Sequence, residues 1–350
     1  MWKGQSVKWS KNISHCLAQK GGIWHGKRGE ALYRAAYPCD LHTHTTRSDG
    51  KDSPRALIDN AVSAGIKILA ITDHDIIAPN TILVDGAEMP LAEYAELKGI
   101  VVLPGIEFSC DTDVEDVHII ALGCDWRDPF FQREYENSIQ SKVEGYHKLC
   151  DLLKEQEMHV SWEEDILLDG QRSEKQVQRK YIFEAMARKG YAEDWSKAKL
   201  LVKNTPALSV KRHKPHPADI IEGIHKAGGF AILAHPYLIT ESPVQECGTF
   251  VTRTAYIDSL IDAGLDGIEA CYPYNKTSYN GTLTPQQIED EVRNRYGQRL
   301  DVLSGGSDYH AEEKAGISAA RRLGEKGVYL EYFESNPLLS DLVERQKIYL

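Results

Sequence analysis

The 350-residue chain has no CxxC pair, and its seven cysteines (Cys16, Cys39, Cys110, Cys124, Cys150, Cys247, Cys271) are odd in number. This argues against a disulfide-stapled scaffold or a zinc ribbon and reads as reduced thiols in a cytoplasmic protein. No apolar run is long enough to cross a bilayer, so no membrane partner is expected. The N-terminus carries Lys3, Lys8 and Lys11 but lacks an apolar h-region, so no secretory signal is expected. Positive charge is in deficit: the net charge of −11 excludes a protein that coats nucleic acid with its whole surface. Internal repeats and low-complexity tracts are absent as well. The sequence leaves the oligomeric state open.

What is present is a rhythm of short apolar runs and helical patterns, the signature of parallel βα units. Ser53 and Pro54 read as the N-cap and first residue of a helix that Gly65 stops. Residues 66–72 read as a buried strand ending at Asp73-His74-Asp75, and 100–103 as one ending at Pro104-Gly105-Ile106-Glu107. A strand over 117–122 has His118 near its start. A helix over 217–227 leads to a strand over 230–234 that ends at His235. A helix over 256–263 precedes a strand over 267–271, and 302–304 forms the last clear strand, before Gly306-Ser307-Asp308. The stretch 126–216 interrupts this rhythm with helical patterns and no strand of barrel quality. Residues 1–38 read as a basic, weakly periodic arm. A role for its His15, His25 or Arg28 is the sharper alternative to simple surface packing.

Candidate ligands cluster at the carboxyl ends of these strands, where (β/α) barrels place their chemistry. His42 and His44 are two apart and face the same way in a strand, so they can grip one ion together. Taken singly, an HxH pair, a loop Glu or a strand His has an ordinary structural reading. Together, His and carboxylate groups converging from separate strands are what a multi-metal hydrolytic site requires.

The set also resembles a known family, the PHP (polymerase and histidinol phosphatase) superfamily of metal-dependent phosphoesterases. The motifs that carry the resemblance are Asp40-Leu41-His42-Thr43-His44 with Ser48-Asp49-Gly50, then Ile71-Thr72-Asp73-His74-Asp75, Pro104-Gly105-Ile106-Glu107 and Val117-His118. Ala234-His235-Pro236 and Gly306-Ser307-Asp308-Tyr309-His310 complete them. The resemblance implies a distorted (β/α)7 TIM-like barrel over 39–125 and 217–350, with a mostly helical, basic insertion domain at 126–216. It implies a trinuclear site for two to three divalent ions, Mn, Fe or Zn. His42, His44, Glu107 and Asp308 would hold the first ion. Glu107, His118 and His235 would hold the second, and Asp49, His74 and His310 the third. Asp40, Asp73 and Asp75 are then outer carboxylates that orient the ligating imidazoles. A metal-bridging hydroxide of lowered pKa would attack phosphorus in line. No residue stands out as the general acid.

The substrate is less legible. From residue 171 to 214 the insertion holds twelve Lys and Arg against four Asp and Glu, a contrast with the acidic remainder that suits phosphate oxygens. The insertion resembles that of PHP members acting on nucleotides and short RNA 5′ ends, which places Arg179 and Lys180 as phosphate contacts. Lys211 and Arg212 form a second candidate clamp. Tyr274 and Lys276 are candidates from the strand end after Glu269. Members of that subgroup often carry an Arg soon after the His-Pro motif, and here Tyr237-Leu238-Ile239 follows instead. The expected activity is hydrolysis of a small phosphorylated metabolite: a nucleotide, sugar phosphate or cyclic phosphate. The alternative is a 5′–3′ exonuclease acting on short RNA or DNA, which would need aromatic stacking along a positive groove. An amidohydrolase is more remote, because a Glu rather than a bridging Lys follows the middle strand. A non-catalytic module would need fewer ligands.

Overall fold

A computed structural model of the protein describes residues 33–243, 249–311 and 320–349. His15, His25 and Arg28 of the candidate arm, with Cys16 and Cys247, lie outside the described residues.

Nine strands are present among the described residues: β1 (Cys39–Asp40), β2 (Ile68–Ile71), β3 (Thr81–Val84), β4 (Ala87–Pro90), β5 (Val101–Ser109), β6 (His118–Leu122), β7 (Phe230–Leu233), β8 (Gly267–Cys271) and β9 (Val302–Gly305). Seven of them form one sheet in the order β1-β2-β5-β6-β7-β8-β9. The pairs β1–β2, β2–β5 and β8–β9 are parallel. The chain beyond β1 also bonds to the chain beyond β9: Leu41 N–H reaches the Gly305 carbonyl, and Asp308 N–H reaches the His42 carbonyl. The first and last strands of the order therefore meet, as the (β/α)7 barrel class requires.

The helix Pro54–Ala64 follows the sequence signals. Ser53 Oγ accepts from Ala56 N–H, Pro54 occupies the first turn, and Gly65 caps the end at φ 91°. Its buried Leu57, Ile58, Ala61 and Ala64 pack with Leu69, Ile71 and Val102. Two expectations need correction. The strand expected to stop before Pro104-Gly105 runs on to Ser109, so Glu107 sits inside β5 rather than after it. The Pro-Gly pair reads as a turn signal, yet Gly105 serves close packing: a Cβ there would come within 2.9 Å of Leu122 Cδ2 and Thr72 Cγ2. The second is an unread hairpin, β3–β4, turned by Asp85 at φ 53° and Gly86 at φ 88°.

The described residues divide into two compact units, 33–106, 121–123, 266–311 and 320–349 in one and 107–120, 124–243 and 249–265 in the other. The second contains the stretch read as an insertion. Its helices Pro129–Glu155, Arg179–Arg188 and Trp195–Asn204 share a core of their own, with Leu149, Leu153, Ile166, Ile182, Met186 and Val202 buried. Each full burial of such an aliphatic side chain contributes roughly 1.5–3 kcal/mol.

Candidate metal centre

Six of the nine expected ligands lie in the first unit. His42 and His44 follow β1 in extended chain, with Thr43 bridging to Tyr309 in the turn after β9. Their rings face one point: His42 Nε2 and His44 Nε2 are 3.1 Å apart, and Asp308 Oδ1 stands 3.2 Å from the second and 3.7 Å from the first. Three donors round one point match an ion about 2.0–2.2 Å from each, whose ligand atoms would stand about 3–3.5 Å apart. His44 also borders a second group. Its ring stacks on His310 at 4.2 Å between centroids and lies 4.6 Å from His74. One donor atom each from His44, Asp49, His74 and His310 falls within 4.8 Å of the others, with Asp49 Oδ1 3.1 Å from His310 Nε2. So many imidazoles would repel one another if all were protonated, and a divalent cation uses their lone pairs instead. The donor sets fit such ions.

The carboxylates are held ready to accept a cation. Burial pushes the Asp308 carboxyl up, but the Arg321 guanidinium and the His310 and His42 rings outweigh it and hold it well below the usual range. Desolvation also raises Asp49, and the hydrogen bond from His310 with the charges of His74 and His44 brings it below its ordinary value. Asp308 sits at φ 49°, in the left-handed region that Asp tolerates better than most residues, which turns its side chain towards the histidines.

The remaining three ligands lie in the second unit. Glu107 on β5 and His118 at the start of β6 meet through Glu107 Oε1 and His118 Nδ1, 2.9 Å apart. The same oxygen lies 2.9 Å from His235 Nε2. His235 follows β7 at φ 30° and starts the short 3-10 turn Pro236–Leu238. A non-glycine residue held there is strained, which is common at functional turns.

The outer carboxylates behave differently from the expectation. Asp40 accepts from Ser307 N–H, Ser307 Oγ–H and Gly324 N–H. Asp73 accepts from Thr45 N–H, Thr45 Oγ–H and Ser48 Oγ–H. Both therefore brace the loops that carry the ligands instead of facing an imidazole. Asp75 stands at φ 56° just after His74. A carboxylate that does face one of these imidazoles is one the sequence reading missed, Glu269 on β8, with Oε1 3.3 Å and Oε2 3.4 Å from His42 Nδ1. Its only signal was an acidic residue in an otherwise apolar strand. The Tyr272 hydroxyl donates to Asp308 Oδ2 at 2.7 Å, and Arg321 donates to the same oxygen.

The expected phosphate contacts fare unevenly. Lys276 is spent on Glu325, 2.5 Å away, and on the Ala320 carbonyl. Tyr274 is buried between Tyr272 and Tyr279. Neither presents a group to phosphate. In the second unit, Lys180 pairs with Glu184 at 3.1 Å and Lys211 with Asp113 at 2.7 Å. Arg179 opens its helix and lies over the Phe183 ring, and Arg212 follows Lys211 in the chain before the helix Pro217–Lys226.

Residues 40–202 match the family model of the PHP domain. That match spans 163 of the 350 residues. Among curated relatives, a phosphoribosyl 1,2-cyclic phosphate 1,2-diphosphodiesterase of Eggerthella lenta is 27% identical over 278 residues, 78% of this chain and 94% of that protein. A 3′,5′-nucleoside bisphosphate phosphatase of Chromobacterium violaceum is 26% identical, covering 79% and 88%. A 5′-3′ exoribonuclease of Haemophilus influenzae is 29% identical over 199 residues, covering 56% and 68%. A solved structure from Bifidobacterium adolescentis, described as a metal-dependent phosphoesterase, superposes with a TM-score of 0.60 at 23% identity, over 89% of this chain and 97% of that one. That likeness speaks for the fold.

Proposed function

We propose that this protein is a metal-dependent phosphoesterase that hydrolyses a phosphate ester of a small phosphorylated metabolite, a nucleotide, sugar phosphate or cyclic phosphate. The observation that carries the reading is the convergence of His42 Nε2, His44 Nε2 and Asp308 Oδ1 on one point. Its supports are the second grouping round Asp49, His74 and His310 and the carboxylate of Glu107 between two imidazoles. We take these nine residues as ligands for two to three divalent ions, Mn, Fe or Zn. Bound there, such ions supply an acidified water as nucleophile and neutralise charge on the phosphoryl oxygens. The chain's own part is to aim the donors. Asp40 and Asp73 fix the loops, the Tyr272 hydroxyl and Arg321 hold Asp308 on its second oxygen, and Arg179 and Arg212 of the second unit remain our candidates for contacts to the substrate phosphate.

Two observations favour a small substrate over a strand. The relatives matched over most of both chains act, by their names, on a cyclic phosphate and a nucleoside bisphosphate. The aromatic rings of the basic helices are also already covered by the chain's own cations: Arg172 over Tyr181, Arg179 over Phe183 and Lys180 over Trp195. A ring covered in this way offers less surface for base stacking. We also propose a reducing, cytoplasmic setting, which suits the buried thiols of Cys39, Cys110, Cys124, Cys150 and Cys271.

The test is phosphate release from nucleoside monophosphates, 3′,5′-bisphosphates, cyclic phosphates, sugar phosphates and a short 5′-phosphorylated RNA, with Mn²⁺ and with chelator. Chelator-sensitive release from one small compound is the expected result. Turnover of the RNA alone would favour the exonuclease, and activity that survives the chelator would sink the metal-dependent reading.

A further inference from the structure

We infer that Glu269 is a positioning residue for His42: its carboxylate fixes the proton of the imidazole on Nδ1 and so aims the Nε2 lone pair at the cation. The inference rests on the metal-dependent reading above and goes beyond it by naming a residue that is not itself a ligand.

Both side chains are completely buried. A carboxylate without water is costly unless a donor faces it, so a buried Glu in a strand needs a reason to be there. Glu269 stands in β8 with its neighbours Ile268, Ala270 and Cys271 fully buried, a setting in which an apolar residue would be the ordinary choice. Both of its oxygens lie within 3.4 Å of His42 Nδ1. An ionised carboxylate only accepts, so Nδ1 must carry the proton. A neutral imidazole has one N–H, and with it on Nδ1 the other nitrogen is left as a lone pair. That nitrogen, Nε2, is the atom that faces His44 Nε2 and Asp308 Oδ1. The opposite tautomer would place an N–H where a cation belongs and set two lone pairs against each other at Nδ1 and Glu269. The negative charge behind the ring also makes Nε2 a stronger donor, as outer carboxylates do for ligating histidines elsewhere.

Ser304 and Gly305 of β9 and the turn to Asp308 lie beside β8, since Glu269 is in register with Ser304. Glu269 and Asp308 thus reach the same imidazole from opposite sides, one at each nitrogen. Asp40, by contrast, lies two residues from His42 in the chain and spends its oxygens on Ser307 and Gly324.

The experiment titrates the metal-free full-length protein with Co²⁺ and Zn²⁺, following the visible Co²⁺ spectrum and competition with a chromophoric chelator. The variants are Glu269→Leu, Glu269→Gln, His42→Ala and the double variant Glu269→Gln with His42→Ala. Glu269→Leu is expected to weaken the binding of one ion 10- to 100-fold and leave the others unchanged. Glu269→Gln keeps an oxygen that accepts from Nδ1 and should fall between wild type and Glu269→Leu. In the His42→Ala background the Gln substitution should change nothing further, because the two residues act as one unit. If Glu269→Leu fails to fold, the isosteric Gln variant and its double-mutant cycle carry the test. A folded Glu269 variant with wild-type affinity and Co²⁺ spectrum overturns the inference, as does an equal effect of Glu269→Gln with and without His42. A wild-type protein that takes up no ion overturns the metal-dependent reading itself.

Discussion

A single oxygen of Glu107, Oε1, stands 2.9 Å from Nδ1 of His118 and 2.9 Å from Nε2 of His235. The carboxylate comes from β5, and the two rings come from the start of β6 and the turn after β7. Three separate segments thus deliver one acidic and two basic donors, with Glu107 and His235 buried.

Glu107→Gln keeps the size of the side chain and removes its charge. We expect the loss of at least one bound ion and a fall in turnover greater than the 10- to 100-fold typical of an outer-partner substitution. Metal content by elemental analysis, beside phosphate release, checks this. Near-normal turnover would show that Glu107 is not a ligand.

Arg321 is the buried counter-charge of Asp308 and also lies 2.8 Å from His310 Nδ1. Removing one partner of such a pair costs about 3–5 kcal/mol. Arg321→Leu should therefore destabilise the metal-free protein by that order, and saturating Mn²⁺ should restore part of the loss by supplying the missing positive charge. Melting temperatures with and without Mn²⁺ measure both effects. An equal loss in the two conditions would mean that Arg321 acts by packing alone.

Burial pushes the Asp40 carboxyl up to about 6, and the hydrogen bonds from Ser307 and Gly324 only partly oppose it. The unfolded value is near 3.9. Between these values the folded chain holds a proton that the unfolded chain has lost. The contribution to stability therefore falls as pH rises from about 4 to about 6, by about 3 kcal/mol at most. Urea unfolding of metal-free wild type and Asp40→Asn across this range should give a difference curve that slopes downward with pH. A flat difference would mean that Asp40 titrates normally in the fold.

Arg179 and Lys276 separate two kinds of basic residue. Arg179→Ala should raise KM several-fold for the phosphorylated substrate with little change in melting temperature. Lys276→Ala should do the reverse, since its ammonium is tied to Glu325 within the fold. Steady-state kinetics and thermal unfolding of the two variants decide between these roles, and unchanged kinetics for Arg179→Ala would move the phosphate contact elsewhere.

The positions of the candidate ligands were legible because each motif is short and sits where a periodic apolar run stops. His74 after β2 and Asp308 after β9 follow from reading the strand ends. The cap residues Ser53 and Gly65 were equally legible, because capping is a local matter of one or two residues. Glu107, expected after the end of a strand, lies within β5. Pro104-Gly105 carries a turn signal, and only the packing of Gly105 against Thr72 and Leu122 shows why the strand continues. Glu269 was invisible for a related reason. Its meaning depends on His42, 227 residues away, and no local pattern encodes that distance.

The carboxylate of Asp40 binds Ser307, 267 residues further on, and Gly324, 284 residues further on. During synthesis the His42–His44 segment leaves the ribosome long before its partners exist. The loop of His42 and His44 can be braced, and Asp308 added to it, only after residues 307 to 324 have been made. Pairing across such separations is slow to form, because the entropy of closing the loop is lost before any contact offsets it. The two leading histidines must therefore wait through more than 260 residues of further synthesis before Asp308 can join them. An ion held by all three donors there would report a chain made and folded at least as far as Asp308.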